Sequence, residues 1–516
     1  MDQLVQIYQA MGNSIPAFGQ AIVSVEMLIA LLVGVCGGLV IGALPGLNAT
    51  TGIVLLMPIT YTMSPIPALT MLMAIYTAGI MGGSYSSILI NTPGTSSSVA
   101  TLFDGYPLAR RGEALKALNT SIFSSVLGGV VSAVALLLIS PLLARVALYF
   151  DSPEYFLLGV FGLSLVASLS SEGLFKGFSV GCFGLLIGSV GLAPLSAMSR
   201  YTLGTEALYD GFNSTTVIIG CFSVAQVMVM MYEAKTQKEG TPQAVNRLTG
   251  RKFLSWAEIR RLLPTIGISS LIGIWVGILP GAGAATGSYI AYSTAKKSSK
   301  HPEEFGEGSI EGIAAPEAAN NAVTGSAMIP LLTLSIPGST AASVLLGALM
   351  IQGLQPGFSL FTKQADIVFP IIFGFLLANI IMLPIGLAFA RVAGNIIRIP
   401  NAILAPVIAV LAVLGGYCIR IRVFDIFVVV CFGALGYLMK KSKYAPGAFT
   451  LGLILGNMCE TGLRRSFALA MRTGGGIFSY YMSRPQSIIL ILLILYNMSE
   501  PLRRRWKEKR KVAVRS

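Results

Sequence analysis

The chain predicts an all-α polytopic membrane protein made of two inverted-topology repeats, and three observations carry that expectation. The first is composition: 516 residues, 54% hydrophobic and 11% charged, with mean hydropathy +0.75. A soluble domain carries roughly 25% charged residues, so this chain lacks the polar material to cover a water-facing surface. The second is continuity. The apolar runs do not alternate with polar residues, which disfavours an outer-membrane barrel. The third is a repeat: G-x-L-P-G-x-x-x-x-T-G occurs from Gly42 to Gly52 and again from Gly277 to Gly287, each time closing a long apolar run. Breaking a helix inside lipid frees backbone groups, which are tolerated only where they are buried in protein or line a cavity. Matched interruptions in two halves of a membrane chain point to a ligand site at the breaks.

Taken in order, apolar segments fall near 22–44, 47–61, 68–91, 118–148, 154–170, 176–195 and 214–232. They resume near 262–279, 283–296, 322–336, 341–352, 367–390, 402–418, 424–439, 445–459 and 486–498. Several fall short of the ~20 residues that a crossing needs and read as re-entrant or broken pieces, leaving about 12 full transmembrane helices. Residues 1–232 form a first membrane repeat and 262–499 a second. Between them, 233–261 reads as a cytoplasmic linker, because Lys235, Lys238, Arg247, Arg251, Lys252, Arg260 and Arg261 concentrate there. Residues 500–516, with Arg503, Arg504, Arg505 and Lys507, read as a basic cytoplasmic tail. The first 20 residues lack the basic start of a cleavable signal peptide, so the first apolar segment is expected to stay.

A second pair of breaks follows the first. Asn91-Thr92-Pro93-Gly94-Thr95-Ser96-Ser97-Ser98 matches Ser335-Ile336-Pro337-Gly338-Ser339-Thr340-Ala341-Ala342, and each follows a Gly-Ser pair, Gly83-Ser84 or Gly325-Ser326. Loop charges set the orientation. The loop after the first LPG block is uncharged, whereas the loop after the second carries Lys296, Lys297 and Lys300. After the PG blocks the order reverses: Arg110, Arg111 and Lys116 in the first half, Lys363 alone in the second. Positive loops that swap places predict halves related by an axis in the membrane plane. Arg420, Arg422, Arg464 and Arg465 fall in loops that this scheme puts outside.

Each helix N-terminus at a break offers roughly half a positive charge and up to four free N–H groups, about what an anion needs. The substrate-binding candidates are Asn48, Thr50 and Thr51 at the first LPG break and Thr286 and Ser288 at the second. Thr95, Ser96, Ser97 and Ser98 join them at the first PG break, and Ser339 and Thr340 at the second. Their hydroxyl and carboxamide groups hydrogen-bond carboxylates and, with backbone carbonyls, can hold a hard cation such as Na⁺. Pro45, Gly46, Gly52, Pro93, Gly94, Pro280, Gly281, Gly287, Pro337 and Gly338 are expected to shape the backbone. No Asp, Glu, Lys, Arg or His lies inside any of the four blocks. An anion would therefore be held by dipoles and hydroxyls, and a carboxylate proton relay within the blocks is disfavoured.

The remaining features read more simply. The net charge of +14 would suggest nucleic acid in a soluble protein; here the bases sit in short loops and the tail, as topology and lipid-headgroup signals, and no nucleic acid is expected. The six cysteines lie singly in apolar segments, as small buried hydrophobes. The one histidine, His301, sits in a charged loop, so no catalytic group or cofactor is expected beyond Na⁺ or H⁺ as a coupling ion. Gly281 to Gly287 lacks the βαβ setting of a dinucleotide site, and Gly46 to Gly52 lacks the lysine of a phosphate loop. The stretch from His301 to Asn321, with Glu303, Glu304, Glu307, Glu311 and Glu317, reads as a solvated acidic loop, with Asn320 and Asn321 as weaker site candidates. Glu26, Glu172 and Glu460 near segment ends are candidates for ion coupling, and Glu460 can pair with Arg464.

The stretches GALPGLNATTG (42–52), NTPGTSSSVATLFDGYPLARRGEA (91–114), GILPGAGAATG (277–287) and SIPGSTAASVLLGALMIQGLQPG (335–357) resemble the large membrane subunit, TctA-type, of tripartite tricarboxylate transporters. LGLILGNMCETGLRRSFALAMRTGGG (451–476) is a weaker match, in which Asn457-Met458-Cys459 stands where a proline-containing turn is common. The resemblance implies a multi-pass permease of the bacterial inner membrane, not an enzyme. It implies ion-driven import of citrate-like or other organic carboxylates, with a small TctB-like membrane subunit and a periplasmic TctC-like binding protein. A carboxylate exporter or channel that needs no binding protein is the alternative. A membrane enzyme would need a nucleophile with a base, or paired intramembrane carboxylates, and the blocks hold neither.

Overall fold

A computed structural model describes residues 2–168, 174–193, 196, 198–236, 254–279, 283–397, 399–472 and 476–499. Helix dominates. Among the described residues, eight helices are long and apolar enough to cross a membrane: Val25–Ala43, Pro65–Ile90, Ser96–Val146, Ser214–Glu233, Trp256–Ile278, Ala365–Phe389, Ala402–Arg420 and Val423–Lys441. Four shorter apolar helices accompany them, Ala49–Thr62, Phe175–Gly188, Thr340–Ile351 and Pro485–Met498. One two-residue β-ribbon, Gly191–Leu192 paired antiparallel with Ser199–Arg200, closes the turn after helix Leu174–Gly188. Large apolar side chains such as Trp275, Val410, Leu414, Phe427 and Leu492 stand on the outer surface. That is the surface of a chain whose solvent is lipid.

The breaks fall where the sequence puts them, and they match in pairs. Helix Val25–Ala43 ends at Leu44 in extended backbone (φ −82°, ψ 117°), and helix Trp256–Ile278 ends at Leu279 in nearly the same conformation (φ −77°, ψ 112°). Helix Pro65–Ile90 stops at Asn91 in the left-handed region (φ 57°), and helix Met328–Leu334 stops at Ser335 in the same way (φ 59°). Thr95 and Ser339, both extended, then cap the next helical segments. Glycine allows the crossings. A Cβ on Gly42 would stand 2.2 Å from the Gly79 carbonyl oxygen, and one on Gly273 would stand 2.4 Å from that of Ala319.

Two helical hairpins change sides. Helices Ser152–Ser168 and Leu174–Gly188, from the first half, pack on Pro446–Arg472 of the second. Helices Asn401–Arg420 and Val423–Lys441, from the second half, pack on the Ser214–Glu233 helix of the first. Both contacts run backbone to backbone: a Cβ on Gly184 would lie 2.0 Å from the Phe449 carbonyl oxygen, and one on Gly220 would lie 2.5 Å from that of Val429.

Several sequence expectations change here. The acidic stretch is not a solvated loop throughout. Ser309 caps helix Ile310–Ser326, whose residues are all buried, Glu317 among them. Charge alone misleads there, because Gly and Ala fill the spaces between the polar residues and let the helix pack on Ala114–Ala147 and Trp256–Ile278. The segment near 445–459 continues as one helix, Pro446–Arg472, so Arg464 and Arg465 lie on a helix and not in a loop. Arg420 and Arg422 flank a tight turn at Ile421 (φ 55°), and Arg422 pairs with Asp210 at 3.0 Å. Of the cysteines, only Cys221 and Cys459 are buried; Cys36, Cys182, Cys418 and Cys431 face outward, where lipid suits a thiol as well as a core does. Most of the basic linker and the tail lies outside the described residues.

Candidate functional site

The four breaks converge on one cavity of about 640 Å³. Gly46, Leu47, Asn48, Ala49 and Thr50 line it from the first LPG break, and Gly283, Ala284 and Ala285 from the second. Pro93, Gly94, Thr95, Ser96 and Ser97 come from one PG break, and Ser339, Thr340 and Ala341 from the other. Tyr76, Ile80, Phe222 and the segment Ala445, Pro446, Gly447 and Ala448 complete the wall.

Five helical segments begin at this wall, at Ala49, Ser96, Gly283, Thr340 and Pro446. A helix start leaves N–H groups free and carries the positive end of the helix dipole. Among the described lining residues there is no Asp, Glu, Lys, Arg or His. The cavity is wide enough for a small organic molecule.

The capping groups explain the local geometry. Asn48 Oδ1 accepts from the Thr51 amide at 2.9 Å and from its hydroxyl at 3.2 Å, fixing the start of Ala49–Leu56. Ser339 Oγ accepts from the Ala342 amide at 3.1 Å and lies 2.8 Å from the Tyr76 hydroxyl. Thr95 Oγ1 and Ser97 Oγ are 3.0 Å apart, and Ser98 Oγ accepts from the Thr95 amide at 3.2 Å and from Ser87 Oγ at 2.9 Å. Gly46 needs its φ of 87°, which only glycine adopts freely.

Of the site residues expected from sequence, Asn48, Thr50, Thr95, Ser96, Ser97, Ser339 and Thr340 line the cavity, as do Pro93, Gly94 and Gly46. Thr51 and Ser98 stand one layer back, each bonded to a lining residue. Thr286 is exposed and outside the lining, and Ser288 is buried against the Ala284 and Pro316 carbonyls at 2.9 and 3.3 Å. Gly52, Gly287, Pro337 and Gly338 pack behind the breaks, where a Cβ on Gly338 would meet the Gly277 carbonyl oxygen at 2.8 Å. Pro45 is half-buried beside the cavity wall, and Pro280 and Gly281 lie outside the described residues.

Sequence reasoning missed Tyr76, which sits in a long apolar helix with no motif to mark it. It also missed Lys440, whose Nζ donates to Gln226 Oε1 at 2.7 Å, while Gln226 Nε2 lies 3.4 Å from where a Cβ on Gly46 would stand. Asn320 and Asn321 are buried; Asn321 joins Thr77 and Asn379 in a small polar cluster. Glu26 takes the Ser64 amide and hydroxyl at 2.8 and 2.7 Å, capping Pro65–Ile90. Glu460 pairs with Arg200 and, as expected, with Arg464 at 2.9 Å. Glu172 lies outside the described residues.

Eight apolar spans around a cavity built from helix ends define a multi-pass membrane transporter. The profile of the Tripartite tricarboxylate transporter TctA family matches residues 28–451, and the chain belongs to that family. It is 37% identical over 438 residues to the "Uncharacterized 52.8 kDa protein in TAR-I ttuC' 3'region" of Agrobacterium vitis, covering 85% of this chain and 86% of that protein. It is 36% identical over 198 residues to the "Uncharacterized protein in TAR-II ttuC' 3'region" of the same organism, covering 38% of this chain and 82% of that protein. No solved structure matches the chain.

Proposed function

We propose that this chain is the large permease subunit of a three-component, cation-gradient-driven importer of tricarboxylates or related organic carboxylates. It would sit in the bacterial inner membrane with a small membrane subunit and take substrate from a periplasmic binding protein. One observation carries the reading: five helical segments begin at the wall of one cavity that has hydroxyl groups and, among its described lining residues, no charged side chain. Such a field suits a carboxylate of more than one charge, because each negative group finds a separate set of N–H donors. The family's tripartite name supports the partners.

The paired breaks support two repeats of inverted topology, residues 1–232 and 262–499, joined by 233–261. The cavity then lies on the seam between halves, and alternating access is movement of one half's elements against the other's. Neutral oxygens at the same breaks, from Asn48, Thr50, Thr95, Ser97 and Ser339, would serve Na⁺ if Na⁺ is the coupling ion.

The test is uptake of radiolabelled citrate and a panel of di- and tricarboxylates into proteoliposomes that hold this chain, its small subunit and the binding protein. Uptake is expected to need a cation gradient and to fall about tenfold or more in a Ser97→Ala, Ser339→Ala double variant, the loss of two hydrogen bonds to a charged ligand. Transport of no carboxylate in the panel, or full uptake by the double variant, sinks the reading. Uptake without the binding protein would favour the exporter or channel alternative.

A further inference from the structure

Behind the first PG break stands a carboxyl group that no basic residue neutralises. Glu317, within helix Ile310–Ser326, is 0% exposed. Its Oε1 accepts from the Ser84 and Thr101 hydroxyls, and its Oε2 accepts from Ser125 Oγ at 2.7 Å. A fourth hydroxyl, Ser121, stands beside the same carboxyl. No lysine, arginine or histidine pairs with Glu317 among the described residues.

The ionisable groups on the elements packed around this helix are engaged elsewhere or stand at its ends. Tyr85, whose ring faces Glu317, donates to the Gly386 carbonyl at 2.8 Å. Asp104 accepts from the Gly306, Gly308 and Ser309 amides and from the Tyr292 hydroxyl. Lys116 pairs with Glu113 and Glu258, and Arg261 pairs with Glu304 and Glu311. Tyr76 meets Ser339 at the cavity, Arg260, Tyr289, Lys296 and Lys297 are exposed, and Tyr106 and Arg145 are half-buried on Val99–Leu108 and Ala114–Ala147.

A carboxylate in a membrane interior is costly, and hydroxyl donors offset only part of that cost. One added proton removes the charge, but the new O–H then needs an acceptor. The oxygen of the neighbouring Ser121 hydroxyl can accept it, so both protonation states of Glu317 find partners.

The group is wired to the cavity. Thr101 lies on the helix that continues from the Ser96–Ser98 turn, two of whose serines line the cavity. Ser84 follows Gly83, whose carbonyl accepts from the Gly94 amide at 3.2 Å. The Ser125 carbonyl accepts from Asn321 Nδ2 at 2.9 Å, and Asn321 in turn accepts from Thr77, the neighbour of Tyr76.

We propose that Glu317 carries the coupling proton of the transport cycle, a reading that rests on the importer proposed above. An Oε–H bond forms with a proton taken from water on the outer side and breaks by returning it to water on the inner side, with no change in electron count. Full burial means that neither step occurs until the surrounding helices move, so the proton is occluded while substrate crosses.

The test uses the full chain with its two partners in proteoliposomes and radiolabelled citrate, or whichever panel carboxylate the wild type carries. Two assays separate the ideas: exchange of labelled for unlabelled substrate at equal pH, and accumulation driven by an imposed pH gradient. One pH unit drives up to about tenfold accumulation for each proton coupled. Glu317→Gln is expected to keep exchange and lose that accumulation, and Glu317→Asp to restore part of it. Thr101→Val, which removes one donor to the carboxylate, is expected to raise the pH midpoint of wild-type-like uptake by about one unit. That variant decides the matter if Glu317→Gln loses exchange as well. Accumulation by Glu317→Gln equal to wild type, an unmoved midpoint in Thr101→Val, or wild-type uptake driven by Na⁺ and indifferent to pH overturns the proposal. A wild type that exchanges no carboxylate overturns the importer reading first.

Discussion

The two halves share a backbone plan and differ in what stands behind it. In the first half the PG break rests on hydroxyls, with Ser87 and Ser98 joined and Ser84 and Thr101 leading to Glu317. In the second half the corresponding break rests on Ala327, against which a Cβ on Gly338 would clash at 2.9 Å. Duplicated breaks give a near-symmetric cavity, while an ionisable group is set behind one break only. On the proposed reading both halves line the substrate cavity, and the coupling carboxyl of Glu317, on a second-half helix, takes its hydroxyl partners from the first half.

The largest expected effect separates the halves at their crossings. Alanine at Gly42 meets the Gly79 carbonyl oxygen at 2.2 Å, a backbone atom in a packed helix that cannot step aside. Gly42→Ala is expected to abolish folded, monodisperse protein in size-exclusion chromatography. Alanine at Gly277 meets the Ser326 hydroxyl at 1.9 Å, which a rotamer change can move. Gly277→Ala should cost about 1–3 kcal/mol of stability, as overpacking does, seen as a lower thermal midpoint in detergent. Adding Ser326→Ala should recover most of it. Equal loss in the two glycine variants would show the crossings to be alike after all.

A smaller effect concerns the contact across the seam. Tyr76→Phe removes the hydroxyl that meets Ser339 at 2.8 Å. It is expected to weaken substrate affinity about fivefold, the worth of one neutral hydrogen bond of about 1 kcal/mol, with folded yield unchanged. Smallest is Thr286→Ala: an exposed side chain outside the cavity should leave uptake at the wild-type level. A large loss there would place the second LPG break closer to the substrate than the cavity lining does.

The breaks were legible because Gly, Pro and polar residues carry local information. Asn48 and Ser339 were read as binding groups at the breaks, and in the structure both cap the helices that start there. Thr286 and Ser288 were less legible: Thr286 matches Thr51 in the motif, and neither of that pair lines the cavity, while Ser288 corresponds to Ile53 and is buried against the Ala284 and Pro316 carbonyls. Glu317 misled for another reason. It follows the acidic run Glu303 to Glu311 in sequence, and nothing in the chain around it announces the serines and threonine, Ser84, Thr101 and Ser125, that surround it in space. Tertiary partners that come from distant helices leave no local trace.

The exchanged hairpins bear on how the protein is made. Helices Ser152–Ser168 and Leu174–Gly188 have their main packing partner in Pro446–Arg472, synthesised nearly 300 residues after them. Until that helix inserts, Gly184 lacks the Phe449 backbone it packs against, while Gly181 already has Leu163 beside it, so a first half alone leaves part of its glycine face without its partner. Co-expression of residues 1–236 and 254–516 as separate chains is expected to yield a stable pair, and either fragment alone to be cleared by membrane proteases.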